Sequence, residues 1–307
     1  MSNTPYILVT GGHGFVGTSV CNLLKEDGFS FFAPTHEEFD LTRQHEVERL
    51  FASNSFTHVI HLAGKVGGIL ANKTSPAEFF YQNSLPGIFL IHEAYKNGIK
   101  KFVGLAAGCG YPKYLEPPFS EEDFWSGYPD ENSYAYSLAK KNLITQARAY
   151  KDQYGFNSTI LLPANLYGPH DNFSLTTSHV VPALIRKFVE AHDKNLPEVE
   201  VWGSGQATRE FLYVEDCAKA IIQACLSTKE VGPYNLGTGY ETSIKDLVNI
   251  ISKRVGYEGI IVWDKTKPDG QLKRFYDMSY FEKAFGWIPS TPLEEGIAKT
   301  ADWYKNV

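Results

Sequence analysis

The chain lacks a basic excess. Its formal net charge is -6 over 307 residues. Nucleic-acid and anionic-membrane surfaces attract faces rich in lysine and arginine, so neither partner is expected. Signals for metals and disulfides are also sparse. The four cysteines are Cys21, Cys109, Cys217 and Cys225, with no CxxC pair and no dense framework. No zinc site, no other metal site and no disulfide scaffold is expected, and reduced thiols of a cytoplasmic protein are the plain reading. No apolar run nears the ~20 residues of a membrane span. The start carries no basic stretch followed by an apolar one. There is no internal repeat, low-complexity segment or long linker. The expectation is a soluble cytoplasmic protein without a membrane partner.

What is present is ordinary globular material, 43% hydrophobic and 21% charged. That suffices for one large domain or two modest ones. Short apolar runs at 6–10, 30–33, 58–62, 101–106 and 158–162 read as strands. Helical stretches at 14–25, 46–53, 76–97 and 132–154 lie between them. Repeated βα units with apolar strands predict an α/β fold with a doubly wound parallel sheet. The texture changes after Tyr167. A turn-rich loop at 168–172 leads to a helix at 181–192, strands at 199–202, 211–214 and 234–236, and helices at 244–255 and 293–304. These suggest a smaller C-terminal α/β substrate domain. The predicted division is 1–168 plus about 211–237 for dinucleotide binding, and 169–210 with 238–307 for the substrate.

Gly11, Gly14 and Gly17 follow the first strand and open a helix. Glycines at this spacing permit a tight turn and let a pyrophosphate approach backbone N–H groups at the helix N-terminus. This is the mark of a Rossmann-type dinucleotide-binding domain. NAD sites usually end the second strand with a carboxylate for the ribose 2′-hydroxyl. Here that place reads Ala33-Pro34-Thr35-His36, with no carboxylate before Glu37. His13 and His36 could face a 2′-phosphate, or be plain surface histidines. Asp40 and Leu41 are candidate adenine contacts.

Tyr136 and Lys140 stand four apart in a helical stretch and share a face. An ammonium beside a phenol favours phenolate, lowering a pKa that starts near ~10. Such a tyrosine can give a proton to a carbonyl as hydride arrives, and the lysine can hold the nicotinamide ribose. Tyr134 is a decoy, because Leu138 stands four beyond it.

With these two constellations stand longer segments: 65–69, 79–83, 109–113, 165–172, 178–184, 201–205, 209–212 and 267–270. Together they resemble the GDP-L-fucose synthase subfamily of the extended short-chain dehydrogenase/reductases, over nearly the whole chain. The resemblance implies NADPH as cofactor, with NADH as an alternative, and a GDP-linked 4-keto sugar as substrate. It implies C4 reduction with Tyr136 and Lys140, after epimerisation at C3 and C5 by Cys109 and His179. A ketone at C4 acidifies both carbons, and thiol and imidazole suit proton transfer near neutral pH. The cofactor would line Gly11, His13, Gly14, Phe15, Val16, Gly17, His36, Asp40, Leu41, Leu62, Ala63, Gly64, Leu105, Ala106, Lys140, Pro163, Asn165, Leu166 and His179. The substrate would meet Ala107, Asn165, Val180, Lys187, Val201, Trp202, Arg209 and Asp269. The resemblance also implies a homodimer built on the helices at 76–97 and 132–154.

The chain departs from this pattern in two places. The subfamily carries Ser-Ser-Cys where this sequence has Ala107, Gly108 and Cys109. Neither small residue offers a side-chain donor to the C4 oxygen, and a lost oxyanion donor costs ~10²–10³ in rate. Thr176, Thr177 or Ser178 could supply one. Histidines also stand where the subfamily grips a 2′-phosphate with arginine. Because Tyr136, Lys140, Cys109 and His179 are all present, a working reductase is expected. The alternatives are a C4-reductase without epimerase activity acting on a GDP-4-keto heptose, and a nucleotide-sugar binding protein that does not turn over.

Overall fold

Apolar strand-length runs and the glycines that stop them set out the sheet. The computed structural model describes residues 4–175, 177–227, 231–267 and 269–307. Its strands are β1 (Tyr6–Thr10), β2 (Ser30–Phe32), β3 (His58–His61), β4 (Lys101–Leu105), β5 (Ser158–Pro163), β6 (Asn165–Tyr167), β7 (Glu198–Trp202), β8 (Thr208–Arg209), β9 (Phe211–Tyr213), β10 (Tyr234–Leu236), β11 (Thr242–Ser243) and β12 (Ile260–Asp264). Its α-helices are α1 (Phe15–Glu26), α2 (Gln44–Ala52), α3 (Ile69–Thr74), α4 (Pro76–Lys96), α5 (Tyr134–Tyr154), α6 (Val180–Asp193), α7 (Val214–Leu226), α8 (Ile244–Val255), α9 (Ser279–Phe285) and α10 (Leu293–Lys305).

Six strands form one sheet in the order β10-β5-β4-β3-β1-β2. Every neighbouring pair is parallel. The inner strands are buried along almost their whole length, because helices cover both faces. The expected doubly wound sheet is therefore present. Its order reverses at β1, with β2 on one side and β3 on the other. Such a reversal opens a crevice at the carboxyl ends of the strands.

The strand expected over 211–214 stops at Tyr213, and Val214 opens α7. β12 and α9 also stand where no element is expected from the sequence. β12 pairs in parallel with β7, and α6 packs on α8 and α10 to complete a smaller α/β unit. The apolar core falls into two clusters. The first holds the six-stranded sheet, and the second holds α6, α8, α10 and β7. Tyr276, Met278, Phe281 and Phe285 belong to the first cluster, although the sequence division places them with the second unit. Apolar side chains on α9 cover the β10 edge, where Tyr234 stacks on Tyr280.

Candidate active site

The glycine turn joins two strand ends. Gly11 has φ +72°, and a Cβ on it would come within 2.6 Å of the Ala63 nitrogen. Glycine alone takes that conformation freely, so β1 and the residues after β3 can touch. A Cβ on Gly17 would run into the Gly11 carbonyl oxygen, so Gly17 lets α1 close onto the turn. Gly14 is the N-cap of α1; no side chain caps that end and no acidic residue sits in its first turn. The unpaired N–H groups and the helix dipole fit a pyrophosphate. Phe15 packs on the second cluster and Val16 on both, which puts the start of α1 at the seam of the two units.

At the end of β2 the polar groups sort by charge. His13 Nε2 lies 2.9 Å from the Ala33 carbonyl. Glu38 accepts hydrogen bonds from the Thr35 N–H (2.7 Å) and hydroxyl (3.1 Å), and these bonds lower its pKa. Asp40 accepts from the Thr42 hydroxyl (2.7 Å) and N–H (3.0 Å) and pairs with Arg43 at 3.2 Å. The Thr42 hydroxyl bond is the chief cause of its lowered pKa, with smaller help from His36 and Arg43. Both carboxylates are thus held by their own turns and Arg43 is paired with Asp40, which leaves the exposed His13 and His36 to face an anion. Arg43 is a residue the sequence reading missed; its signal is a cation just past Asp40 and Leu41. The Leu41 side chain belongs to the first core. It backs this edge from behind, because an apolar side chain here gains more from the core than from the rim.

The next layer gathers the ends of β3 and β4 under α5. Lys140 is only 6% exposed. Its ammonium donates to the Leu105 carbonyl at 3.1 Å and lies 5.7 Å from the centre of the Tyr136 ring. A Cβ on Gly64 would lie 3.5 Å from that ammonium and 2.6 Å from Asn83 Oδ1, so Leu62, Ala63 and Gly64 belong to the same cluster as Leu105 and Ala106. Burial brings Lys140 down to about 8. Burial raises Tyr136, with the Cys109 thiol adding to it. The expectation of a lysine-lowered phenol is therefore not met in this structure. Desolvation dominates, and the ammonium is turned to a carbonyl and the ring face. Asn83 was not foreseen. Its Nδ2 donates to the Lys65 (3.0 Å) and Phe79 (2.8 Å) carbonyls, while its Oδ1 is buried with no partner. Its only signal is its place in the 79–83 segment.

Cys109 sits in the short 3-10 turn Gly108–Gly110, behind Ala107 in extended conformation (φ -151°, ψ 139°). Ser137 on α5 donates its hydroxyl to the Cys109 carbonyl at 3.0 Å. Burial raises the thiol, and Ser137, Arg274 and Lys140 draw it back down. Tyr136, Lys140 and Cys109 are thus brought together. His179 is the N-cap of α6 on the second unit. Desolvation lowers its pKa even though its own surface is exposed; the crowding protein atoms cause this. Thr177 accepts from the Gly68 N–H at 3.4 Å, which ties the His179 loop to the first unit. Ser178 Oγ is buried without a partner. Thr176 lies outside the described residues.

The second unit offers an aromatic platform. Burial alternates along β7, so Val201 is 3% exposed and Trp202 62%. Val201 therefore serves the core with its side chain and is not a side-chain substrate contact. The ammonium groups of Lys187 and Lys267 lie 5.6 and 5.5 Å from the Trp202 ring centre. Val180 is the first residue of α6 and packs on the second cluster. Asp269 accepts from the Ser204 N–H and hydroxyl, both at 2.7 Å. Its carboxylate builds the turn that follows Trp202. Arg209 donates to the Thr208 (2.7 Å) and Gln271 (2.6 Å) carbonyls and, more weakly, to that of Asp269. All three acceptors are neutral carbonyls, and the one carboxylate that acts on its charge is that of Asp269. Asn165 donates its amide to the Glu210 carbonyl at 2.9 Å. Leu166 packs on the first core, and the Pro163 carbonyl accepts from Tyr276 at 3.3 Å.

The chain is similar to known proteins over nearly its whole length. The model of the NAD dependent epimerase/dehydratase family matches residues 7–237. GDP-L-fucose synthase 1 of Arabidopsis thaliana is 40% identical over 303 residues, covering 98% of this chain and 94% of that protein. The solved GDP-L-fucose synthetase from Naegleria fowleri bound to NADP superposes with a TM-score of 0.89 at 28% identity, over 100% of this chain and 95% of that one. A GDP-mannoheptose C4 reductase from Campylobacter jejuni, solved with NADP bound, gives a TM-score of 0.90 at 29% identity over 99% of each chain.

Proposed function

Because the chain belongs to the NAD dependent epimerase/dehydratase family and, within the extended short-chain dehydrogenase/reductases, to the GDP-L-fucose synthases, we propose that it uses NADPH to reduce C4 of a GDP-linked 4-keto sugar whose C3 and C5 it also epimerises. One observation carries this reading: Tyr136, Lys140 and Cys109 lie together where β4 ends, with the buried Lys140 ammonium on the Leu105 carbonyl and 5.7 Å from the Tyr136 ring centre.

NADPH, when bound, supplies the hydride for C4. The N–H groups at the start of α1 would hold its pyrophosphate, and His13 and His36 its 2′-phosphate. Lys140 is placed for the nicotinamide ribose. Tyr136 gives its proton to the C4 oxygen as the carbonyl is reduced. Its raised pKa keeps that proton in place until the oxygen turns basic. Before reduction, Cys109 and His179 invert C3 and C5, one accepting a proton and the other returning one to the opposite face. Lys187, Lys267 and Trp202 suit a nucleotide base with its phosphates, and Arg209 suits the diphosphate.

The hydroxyls absent at Ala107 and Gly108 favour a second reading, a C4-reductase on a GDP-4-keto heptose. Incubation with GDP-4-keto-6-deoxy-mannose and NADPH in D₂O separates the two. Deuterium at C3 and C5 together with cofactor oxidation is the expected result. Oxidation without exchange, or turnover of the heptose alone, supports the second reading. Tight binding with neither signal overturns both and leaves a binding protein.

We also propose a homodimer through α4 and α5, which pack on each other and leave Phe80, Tyr81 and Tyr154 exposed. A monomer by light scattering would refute it. Among the described residues no helix is long and apolar enough to cross a membrane, and we place the enzyme in the cytoplasm.

A further inference from the structure

The outer face of β7 sets a carboxylate and an ammonium beside one indole. Burial alternates along the strand, so Glu198, Glu200 and Trp202 point outward while Val199 and Val201 enter the core. Residues two apart on a strand share a face, and here their side chains meet. The Trp202 indole N–H donates to Glu200 Oε1 at 3.2 Å. Among the described residues only the indole bonds this carboxylate, so its other oxygen is left for a ligand. The Lys187 ammonium, from α6, donates to the main-chain carbonyl of Glu200 at 3.2 Å and lies 5.6 Å from the Trp202 ring centre. The ring itself is 62% exposed. An acceptor and a donor thus stand together at the rim of an open aromatic surface. A second cation lies one turn away. Arg209 donates to the Asp269 carbonyl at 3.4 Å, and the Asp269 carboxylate holds Ser204 just past Trp202. Trp202 and Arg209 flank this turn as the base and the phosphates of a nucleoside diphosphate would require.

We propose that Glu200 is the residue that selects guanine: its carboxylate accepts the N1 hydrogen and the 2-amino group of a base stacked on Trp202, while Lys187 donates to O6. The proposal rests on the reading of Trp202 as the platform for a GDP-linked sugar. Among the common bases, guanine alone shows two adjacent donors beside an acceptor on its pairing edge. A carboxylate has two acceptor oxygens and no donor, so it matches that pair of donors with charge-assisted hydrogen bonds. Adenine would turn the lone pair of its N1 toward the same carboxylate, which repels it and leaves it unpaired. Stacking alone does not discriminate, because every base has an aromatic face. Glu200 could otherwise do no more than steady the indole. That role would change the affinity for every base alike, whereas a selecting role changes the ratios between them.

The test titrates the full chain with GDP, inosine diphosphate and ADP by calorimetry. Inosine diphosphate keeps the N1 hydrogen and O6 and lacks only the 2-amino group. The parent should bind GDP ~10-fold more tightly than inosine diphosphate, the worth of one hydrogen bond to a charged group, and ADP more weakly still. Glu200→Gln keeps the length of the side chain and lies on the surface, so the variant should fold, which its Tm checks. Its amide offers one acceptor where the carboxylate offers two. The gap between GDP and inosine diphosphate should close, with the affinity for ADP little changed. Lys187→Met should weaken GDP and inosine diphosphate together and leave their gap open. A gap that persists in folded Glu200→Gln protein overturns the proposal, and so does equal weakening of all three nucleotides. A parent that binds GDP and inosine diphosphate alike overturns it as well, while the GDP-sugar reading stands. A parent that binds none of the three overturns both.

Discussion

Replacing Lys140 by Met should stabilise the fold while it abolishes reduction. The ammonium is almost fully buried, and its pKa falls from 10.5 to about 8. Each unit is worth ~1.4 kcal/mol, so holding this charge inside costs about 3 kcal/mol at neutral pH. Methionine is similar in length and carries no charge. It also gives up the hydrogen bond to the Leu105 carbonyl, a loss of ~1 kcal/mol. The net gain is then ~2 kcal/mol, or several degrees in Tm for a chain of this size. The sign with pH follows from a folded pKa below the unfolded one. The cost is full below about 8, shrinks as pH rises, and is gone above 10.5. Calorimetry at pH ~7 and pH ~10 should therefore show a wide gap that narrows. NADPH oxidation with substrate should fall by ~10² or more. A variant that melts below the parent at neutral pH, or a gap that does not change with pH, would refute the account of Lys140 as a buried charge kept for function.

Gly11→Ala forces a side chain onto φ +72° and against the Ala63 nitrogen; it should weaken NADPH binding at least ~10-fold and cost ~1–3 kcal/mol. Fluorescence titration checks this, and an unchanged Kd would sink the cradle. Ala107→Ser returns a donor near the reducing centre and should raise single-turnover C4 reduction, by up to ~10²; an unchanged rate shows that the missing hydroxyl is not limiting. Trp202→Ala removes the platform between Lys187 and Lys267. Its KM for the GDP-sugar should rise by ~5–30-fold, about 1–2 kcal/mol, with kcat little changed. A fall in kcat at constant KM would contradict a binding role.

Local features of the sequence were readable and distant ones were not. The Gly11 turn and the Tyr136–Lys140 pair are legible because a turn and one helical face each fit within a few residues. α7 escaped because Ala218, Ala220, Ile221, Ile222, Ala224 and Cys225 are all buried. Its polar stripe is only one residue wide, Glu215, Lys219 and Gln223 at every fourth place, so the period is thinly marked. β12 escaped because its residues alternate only weakly in burial and it pairs with a single strand. The Val201 side chain points into the core, which the sequence does not show, because strand alternation tells which residues oppose each other and not which face is outward. The turn that Asp269 builds was hidden because its partner, Ser204, lies far off in the chain. Glu200 carried no sequence signal of its own, since its meaning depends on Lys187, which meets it only in three dimensions.

Residues 276–285 return to the first core, and this governs how the protein can be made. That core draws on Leu236 of β10 and on Tyr276, Met278, Phe281 and Phe285. During synthesis the N-terminal part emerges first, yet its β10 edge stays uncovered until α9 has left the ribosome. For most of translation the β5 edge and its apolar face wait uncovered, the condition in which chains aggregate. A stop codon just before α9 should therefore give an insoluble fragment and not a smaller dinucleotide-binding protein, which the solubility of such truncations would read directly. Damage late in the message thus reaches the cofactor site at its very start.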